Sequence, residues 1–246
     1  MVNITMSWDD GSPHDMKLAS LLSKYNLPST FYIPKRNSEG LPVLLEKSIR
    51  LLSAEFEIGA HTIDHVRLNK TSSVYHKHQI SNSKLWLEDT TGSPVYGFCY
   101  PGGVYDNDVI SKVKDAGFFY ARTTENFSNN TFNIFEMPTT LQIFNHKSYV
   151  LFLNMLKFNN RLVKFSTYYP VLLRKSFSQR VIFLLKHAIN NKLPYIHLWG
   201  HSWELQENNY WSELEDIFKY INEHRENFLF VTNHQCAIFY NNNEPD

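Results

Sequence analysis

The sequence predicts an α/β domain built on a parallel sheet, either closed into a barrel or left open and doubly wound. Three observations predict it. Strand-like runs alternate with helix-length segments along all 246 residues. No internal repeat or linker-like stretch interrupts them. The 43% hydrophobic and 20% charged content is enough for one sizeable core. A single domain over residues 1–246 is the simplest organisation.

The elements follow in order. Residues 2–8 (VNITMSW) form the first strand run, and apolar residues at three- and four-residue spacing make 15–25 a helix. Strand 29–34, helix 43–53 and strand 55–60 come next, then strand 95–100, helix 106–116 and strand 117–122. Further strands are expected at 134–141, 194–199 (PYIHLW) and 228–232, with a helix over 209–223.

Polar clusters fall at the ends of these strands. Asp9 and Asp10 follow the first, His61 the third, Pro101-Gly102-Gly103 the fourth, and Trp199-Gly200-His201 the seventh. In α/β barrels the loops after the C-terminal strand ends share one face, where active sites are built. Four chemically loaded segments at four such ends are expected to converge.

Bulk properties exclude some classes. Lys plus Arg and Asp plus Glu are each 24, so no global charge argues for nucleic acid or another polyanion. Cys99 and Cys236 lack metal-site spacing and cannot form a disulfide framework. The opening MVNITMSWDD has neither a basic stretch nor a long apolar run, so a cytoplasmic location is expected. High aromatic content, 15%, serves cores and sugar stacking alike.

His61 and His65, in GAHTIDH, are four residues apart. On a helical turn this spacing puts both imidazoles on one face, where they would share an ion; two unrelated surface histidines would show the same spacing. Asp9-Asp10 adds carboxylates. One carboxylate and two histidines leave coordination positions open, and a second carboxylate is free to take a proton. Asp-Asp-Gly before Ser12-Pro13 also reads as a helix start.

SWDDG (7–11), HTIDH (61–65), YPGG (100–103) and HLWGHSWEL (197–205) resemble, in order and spacing, the motifs of the polysaccharide deacetylases of carbohydrate esterase family 4. The resemblance implies a distorted (β/α)7–8 barrel of the glycoside hydrolase/deacetylase type. It implies a divalent metal, Zn2+ first and Co2+, Ni2+ or Mn2+ as alternatives, and hydrolysis of N-acetyl groups on an amino sugar or glycan. By position, Asp9 resembles the general base, and Asp10, His61 and His65 the metal ligands. His201 matches the general acid on the leaving amine. The N–H of Gly102 matches the group that helps hold the oxyanion. Trp199 and Tyr100, flanking these segments, are the candidate substrate contacts.

The chain departs from that pattern in two places. Many members carry an arginine, which contacts the base aspartate, where Cys99 stands; Arg122 is the candidate substitute. No aspartate in 120–135 is available to orient His201, which leaves Glu125, Glu136 and Glu204 as options. An insertion at roughly 145–192 is basic and apolar. Between Met137 and Trp203 there are nine Lys or Arg and no Asp or Glu. It reads either as amphipathic helices with basic solvated faces or as peripheral contact with an anionic membrane or lipid-linked glycan. Two rival functions stand beside the deacetylase: an amide or cyclic-imide hydrolase on the same scaffold, and an inactive carbohydrate-binding relative.

Overall fold

The computed structural model describes residues 1–68, 72–127, 133–156 and 168–242. Its strands are β1 (Val2–Asp9), β2 (Thr30–Ile33), β3 (Glu57–Ala60), β4 (Gly97–Cys99), β5 (Tyr120–Arg122), β6 (Leu141–Gln142), β7 (Tyr195–Gly200) and β8 (Phe228–Phe230). All their pairings are parallel, in the order β5-β4-β3-β2-β1-β7-β6. One edge of β1 is taken by β7 over Asn3–Trp8. The other is shared, with β8 along Val2–Ile4 and β2 along Ser7–Asp9.

The helices between the strands are α1 (Asp15–Lys24), α2 (Glu46–Ser53), α3 (Ser73–Thr91), α4 (Asn107–Asp115), α5 (Ser148–Leu156), α6 (Phe177–Asn191), α7 (Ser202–Glu207), α8 (Trp211–Glu223) and α9 (Asn233–Asn241). Helix α8 shows why they form: Leu214, Ile217, Phe218 and Ile221 recur at helical spacing and are all buried. Ends are set locally. The Asp106 carboxylate accepts the Val109 N–H at the start of α4, and Thr232 with Gln235 makes a capping box for α9.

The expected strand at 134–141 is corrected. Residues 134–136 form a 3-10 turn, Met137 bridges to Arg122, and only Leu141–Gln142 pair with β7. This run crosses from the β5 edge to the β7 edge and so closes the barrel. A segment that changes partners halfway cannot build a continuous ladder.

The two faces of β1 divide the molecule. Val2, Ile4, Met6 and Trp8 pack into the apolar layer between sheet and helices. The alternate residues line an interior rich in tyrosine and polar groups. Thr5 donates to Asn233 Oδ1 at 2.7 Å, Ser7 shares a hydrogen bond with His197 at 2.7 Å, and Asp9 meets Arg122. His197 also contacts the Tyr195 hydroxyl at 2.8 Å and is fully buried, in keeping with a packed core histidine. The polar column up the barrel axis therefore ends at the acid pair.

Among the described residues no helix is long and apolar enough to cross a membrane. Lys157, Arg161 and Lys164 of the insertion lie outside the described residues. Arg180 is buried, and its guanidinium donates to the carbonyl oxygens of His146 at 2.6 Å and Arg174 at 3.1 Å. At this position the basic character braces the fold.

Candidate active site

Asp10 leaves the end of β1 with φ +76°, a conformation that Asp tolerates better than most side chains. The turn brings its carboxylate to the loop after β3. There the four-residue spacing of His61 and His65 is not helical, which corrects the expected helical turn. Thr62 and His65 have φ +63° and +52°. The N–H groups of Ile63 and Asp64 are taken by the Gln79 side chain at 3.1 and 2.9 Å, and that of Val66 by Thr62 Oγ1 at 3.2 Å. A β-branched residue in the left-handed region is a real outlier, of the kind that collects at functional sites. The loop brings the imidazoles to a centroid distance of 4.9 Å by a different route from a helix.

Asp10 Oδ1 lies 3.0 Å from His65 Nε2 and 3.6 Å from His61 Nε2, yet it is buried without a properly aligned hydrogen bond. His61 Nδ1 sits 2.8 Å from the Cys99 carbonyl, so Nδ1–H donates and the Nε2 lone pair faces Asp10. One carboxylate oxygen and two imidazole nitrogens converge on one point, and that oxygen has no aligned hydrogen-bond donor among the described residues. This donor set fits a divalent transition metal with open coordination positions. Burial holds the His61 imidazole down at about 4, which keeps it in the neutral, ligating form.

Burial pushes the Asp10 carboxyl up, but the contact with His65 and the charges of His201 and His61 outweigh it and hold the group well below the usual carboxylate range. Its other oxygen accepts the Trp203 indole N–H at 2.9 Å. Trp203 sits in the quoted 197–205 segment but carried no signal of this role.

Arg122 is fully buried and ion-pairs with Asp9 through Nη2, while the Cys99 thiol lies 3.8 Å from the other Asp9 oxygen. The guanidinium also stacks over Tyr32 and Trp199, at 5.2 and 4.9 Å from the ring centroids. Replacing Arg122 with Met is expected to cost about 3–5 kcal/mol of folding stability, because it strands a buried carboxylate. Urea denaturation measures this, and a loss below about 1 kcal/mol would show that the pair does not hold Asp9.

His201, at the end of β7, has Nδ1 2.8 Å from Glu204 Oε2 and Nε2 3.8 Å from Asp10 Oδ2. Burial alone would lower its pKa, but the Glu204 hydrogen bond and the Asp10 charge outweigh it, and His201 is pushed up to about 9. Of the three glutamates considered, Glu204 is the one in contact with His201. Behind it the Ser202 hydroxyl donates to the buried Asp15 carboxylate at 2.5 Å, tying the start of α7 to the start of α1.

Gly102 and Gly103 form a turn with φ +64° and +66°; a Cβ on Gly103 would lie 1.9 Å from Thr124 Oγ1. Gly102 lines a cavity beside this site together with Trp199, which is 6% exposed. Tyr100 is corrected as a substrate contact: its ring is fully buried, stacks on Tyr105 and donates its hydroxyl to the Phe135 carbonyl at 3.0 Å. Asp64 points away, to Arg36 and Gln79.

Residues 2–121 match the polysaccharide deacetylase family model, a span that contains Asp9 to Gly102 and ends before His201. A peptidoglycan-N-acetylglucosamine deacetylase of Bacillus cereus is 26% identical over 117 residues, 47% of this chain and 53% of that protein. The chain thus spans about half the length of this curated relative. A structure described as a polysaccharide deacetylase from Mycobacterium smegmatis aligns over 100% of this chain and 94% of that one, with TM-score 0.71 and 13% identity. A family 4 acetyl xylan esterase from Clostridium thermocellum, in complex with a cobalt ion, aligns over 96% and 90% with TM-score 0.59 and 14% identity. At such identities the structural likeness speaks for the fold alone. With the motifs in their family order, residues 2–121 match the polysaccharide deacetylase family, and the whole chain shares the fold of the Mycobacterium smegmatis structure.

Proposed function

We propose that the protein is a metal-dependent hydrolase that removes an N-acetyl group from an amino sugar within a glycan. The observation that carries this reading is the convergence of Asp10 Oδ1, His61 Nε2 and His65 Nε2 beside two groups suited to proton transfer, Asp9 and His201. Zn2+ suits the ligand set best, with Co2+, Ni2+ and Mn2+ as alternatives. When bound, the ion supplies Lewis-acid activation of water and of the acetyl carbonyl.

The chain's own residues do the rest. Asp9, fixed by Arg122, accepts a proton from the attacking water. The Gly102 N–H, in its left-handed turn, is the candidate donor to the oxyanion. His201 donates from Nε2 to the leaving nitrogen, which would otherwise depart as an amide anion. Glu204 on Nδ1 keeps Nε2 directed at the site. The peptidoglycan-N-acetylglucosamine deacetylase relative supports an amino-sugar substrate.

The test is acetate release from N-acetylglucosamine oligomers before and after chelation. Release is expected to fall to about a hundredth on stripping and to return with Zn2+ or Co2+. Undiminished release from metal-stripped protein would sink the metal-dependent reading.

A further inference from the structure

Helix α5 is apolar on both sides. Leu151 and Met155 face the core. On the opposite side Tyr149, Phe152 and Leu153 are 61%, 38% and 51% exposed, at the i, i+3, i+4 spacing of one stripe. A helix that is apolar all round belongs in a buried setting, and an exposed apolar stripe marks a contact face. Ser148, at the start of α5, donates to the Leu172 carbonyl at 2.8 Å and so ties the helix to residues 172–175, where Leu173 is 66% exposed. Beside Leu173 lies a surface groove of about 460 Å³, lined by Leu173, Arg174, Gln179, Ile182, Phe183 and Lys186. The Arg174 guanidinium sits 3.7 Å from the Phe183 ring centroid and donates one N–H to the Pro170 carbonyl.

Cations surround this apolar surface. Lys147, Lys175 and Lys186 are exposed, and neither they nor Arg174 form an ion pair among the described residues. The chain supplies no Asp or Glu between Met137 and Trp203. This combination narrows the occupant. A second copy of the chain would set the same cations against each other across a two-fold axis. The cores of ordinary protein interfaces are depleted of lysine. A bilayer with anionic headgroups suits both features: tyrosine, phenylalanine and leucine enter the boundary between headgroups and acyl chains, while lysine and arginine stay at the phosphates.

We propose that α5 and residues 172–175 form a docking face for a bilayer containing anionic phospholipid, with Arg174 and Lys186 receiving the phosphate of one headgroup. This gives the basic, apolar insertion a role that the candidate site does not. Asn154, on the same helix, lines the cavity beside that site, so the docked surface lies within a helix diameter, roughly 10 Å, of it. The docking face stands independently of the deacetylase reading.

The experiment is co-sedimentation with vesicles of phosphatidylcholine containing about 30% phosphatidylglycerol, beside vesicles of phosphatidylcholine alone. The full chain is expected to bind the anionic vesicles with an apparent Kd on the order of 0.1 mM lipid, comparable to a single acyl anchor. Binding should weaken about tenfold without the anionic lipid, and again in about 0.5 M salt. Two double variants separate the apolar stripe from the charge: Tyr149→Ser with Leu153→Ser, and Lys147→Glu with Lys175→Glu. All four side chains are exposed, and melting curves verify that both variants fold. Each should bind anionic vesicles about tenfold more weakly and release acetate from soluble N-acetylglucosamine oligomers like the wild type. No sedimentation with anionic vesicles at about 5 mM lipid, or wild-type binding by both variants, would overturn the docking face. Light scattering that shows a dimer converted to monomer by the serine pair would give the stripe to a second copy and overturn it equally. Vesicle binding without acetate release would leave the docking face standing and count against the deacetylase reading instead.

Discussion

Asp9→Asn protein is expected to lose acetate release by about 10²–10⁴-fold while retaining close to one metal ion per chain. Asparagine is nearly isosteric and still accepts a hydrogen bond from Arg122, but it leaves that buried guanidinium without its counter-charge, so a melting curve accompanies the assay to establish that the variant folds; its amide cannot take the proton of an attacking water. Metal retention separates two ligand sets that the fold brings together. Asp10, His61 and His65 form one, and Asp9, His61 and Cys99 the other. The second set is disfavoured on chemical grounds. Asp9 already neutralises the Arg122 guanidinium, and burial pushes the Cys99 thiol well above its ordinary range, while a thiol must deprotonate to ligate. Metal analysis beside the activity assay decides. If metal content falls with activity, Asp9 is a ligand and its assignment as base is wrong.

Much of this arrangement was legible in the sequence, and the exceptions have physical reasons. The motif residues could be placed because each follows a strand, and strand ends in a parallel barrel share a face. The contact between Arg122 and Asp9 was legible through the family resemblance: Cys99 stands where many members carry the arginine that meets the base aspartate, and Arg122 at the end of the neighbouring strand was the candidate substitute. The loop at 61–65 was misread because H-x-x-x-H has helical spacing. What holds it open is the Gln79 side chain, reached from α3 sixteen residues after Ile63, and no local pattern announces that. Tyr100 was misjudged because an aromatic beside the Pro101-Gly102-Gly103 turn looks like a sugar platform, although its ring turns inward to Phe135. The pairing of Glu204 with His201 is a three-residue contact at the start of α7 that the sequence offered only as one option of three. Gln142, which donates to Glu204, and His146, which contacts Gln142, were invisible, because Gln142 reaches Glu204 only once the barrel closes through residues 137–142.

The second large effect is expected from Asp10→Asn. Asparagine tolerates the left-handed backbone at this position and keeps an oxygen for the Trp203 indole, so the apo fold should survive. What is lost is the anionic ligand between His61 and His65. Metal content should drop to about a tenth or less per chain, and acetate release by on the order of 10³-fold, since several kcal/mol of Lewis-acid stabilisation go with the ion. Thermal melting with added Zn2+ provides a readout free of substrate. Wild-type protein is expected to gain about 2.7 kcal/mol at a hundredfold excess over Kd, whereas the variant should show almost no shift. His61 belongs to both ligand sets, so His61→Ala should abolish the shift whichever is correct. His65 and Asp10 belong to one only. A metal-induced shift that survives in Asp10→Asn and in His65→Ala, but not in His61→Ala, would move the ion to the Asp9 side. The division of the acid pair into base and ligand would then have to be reversed.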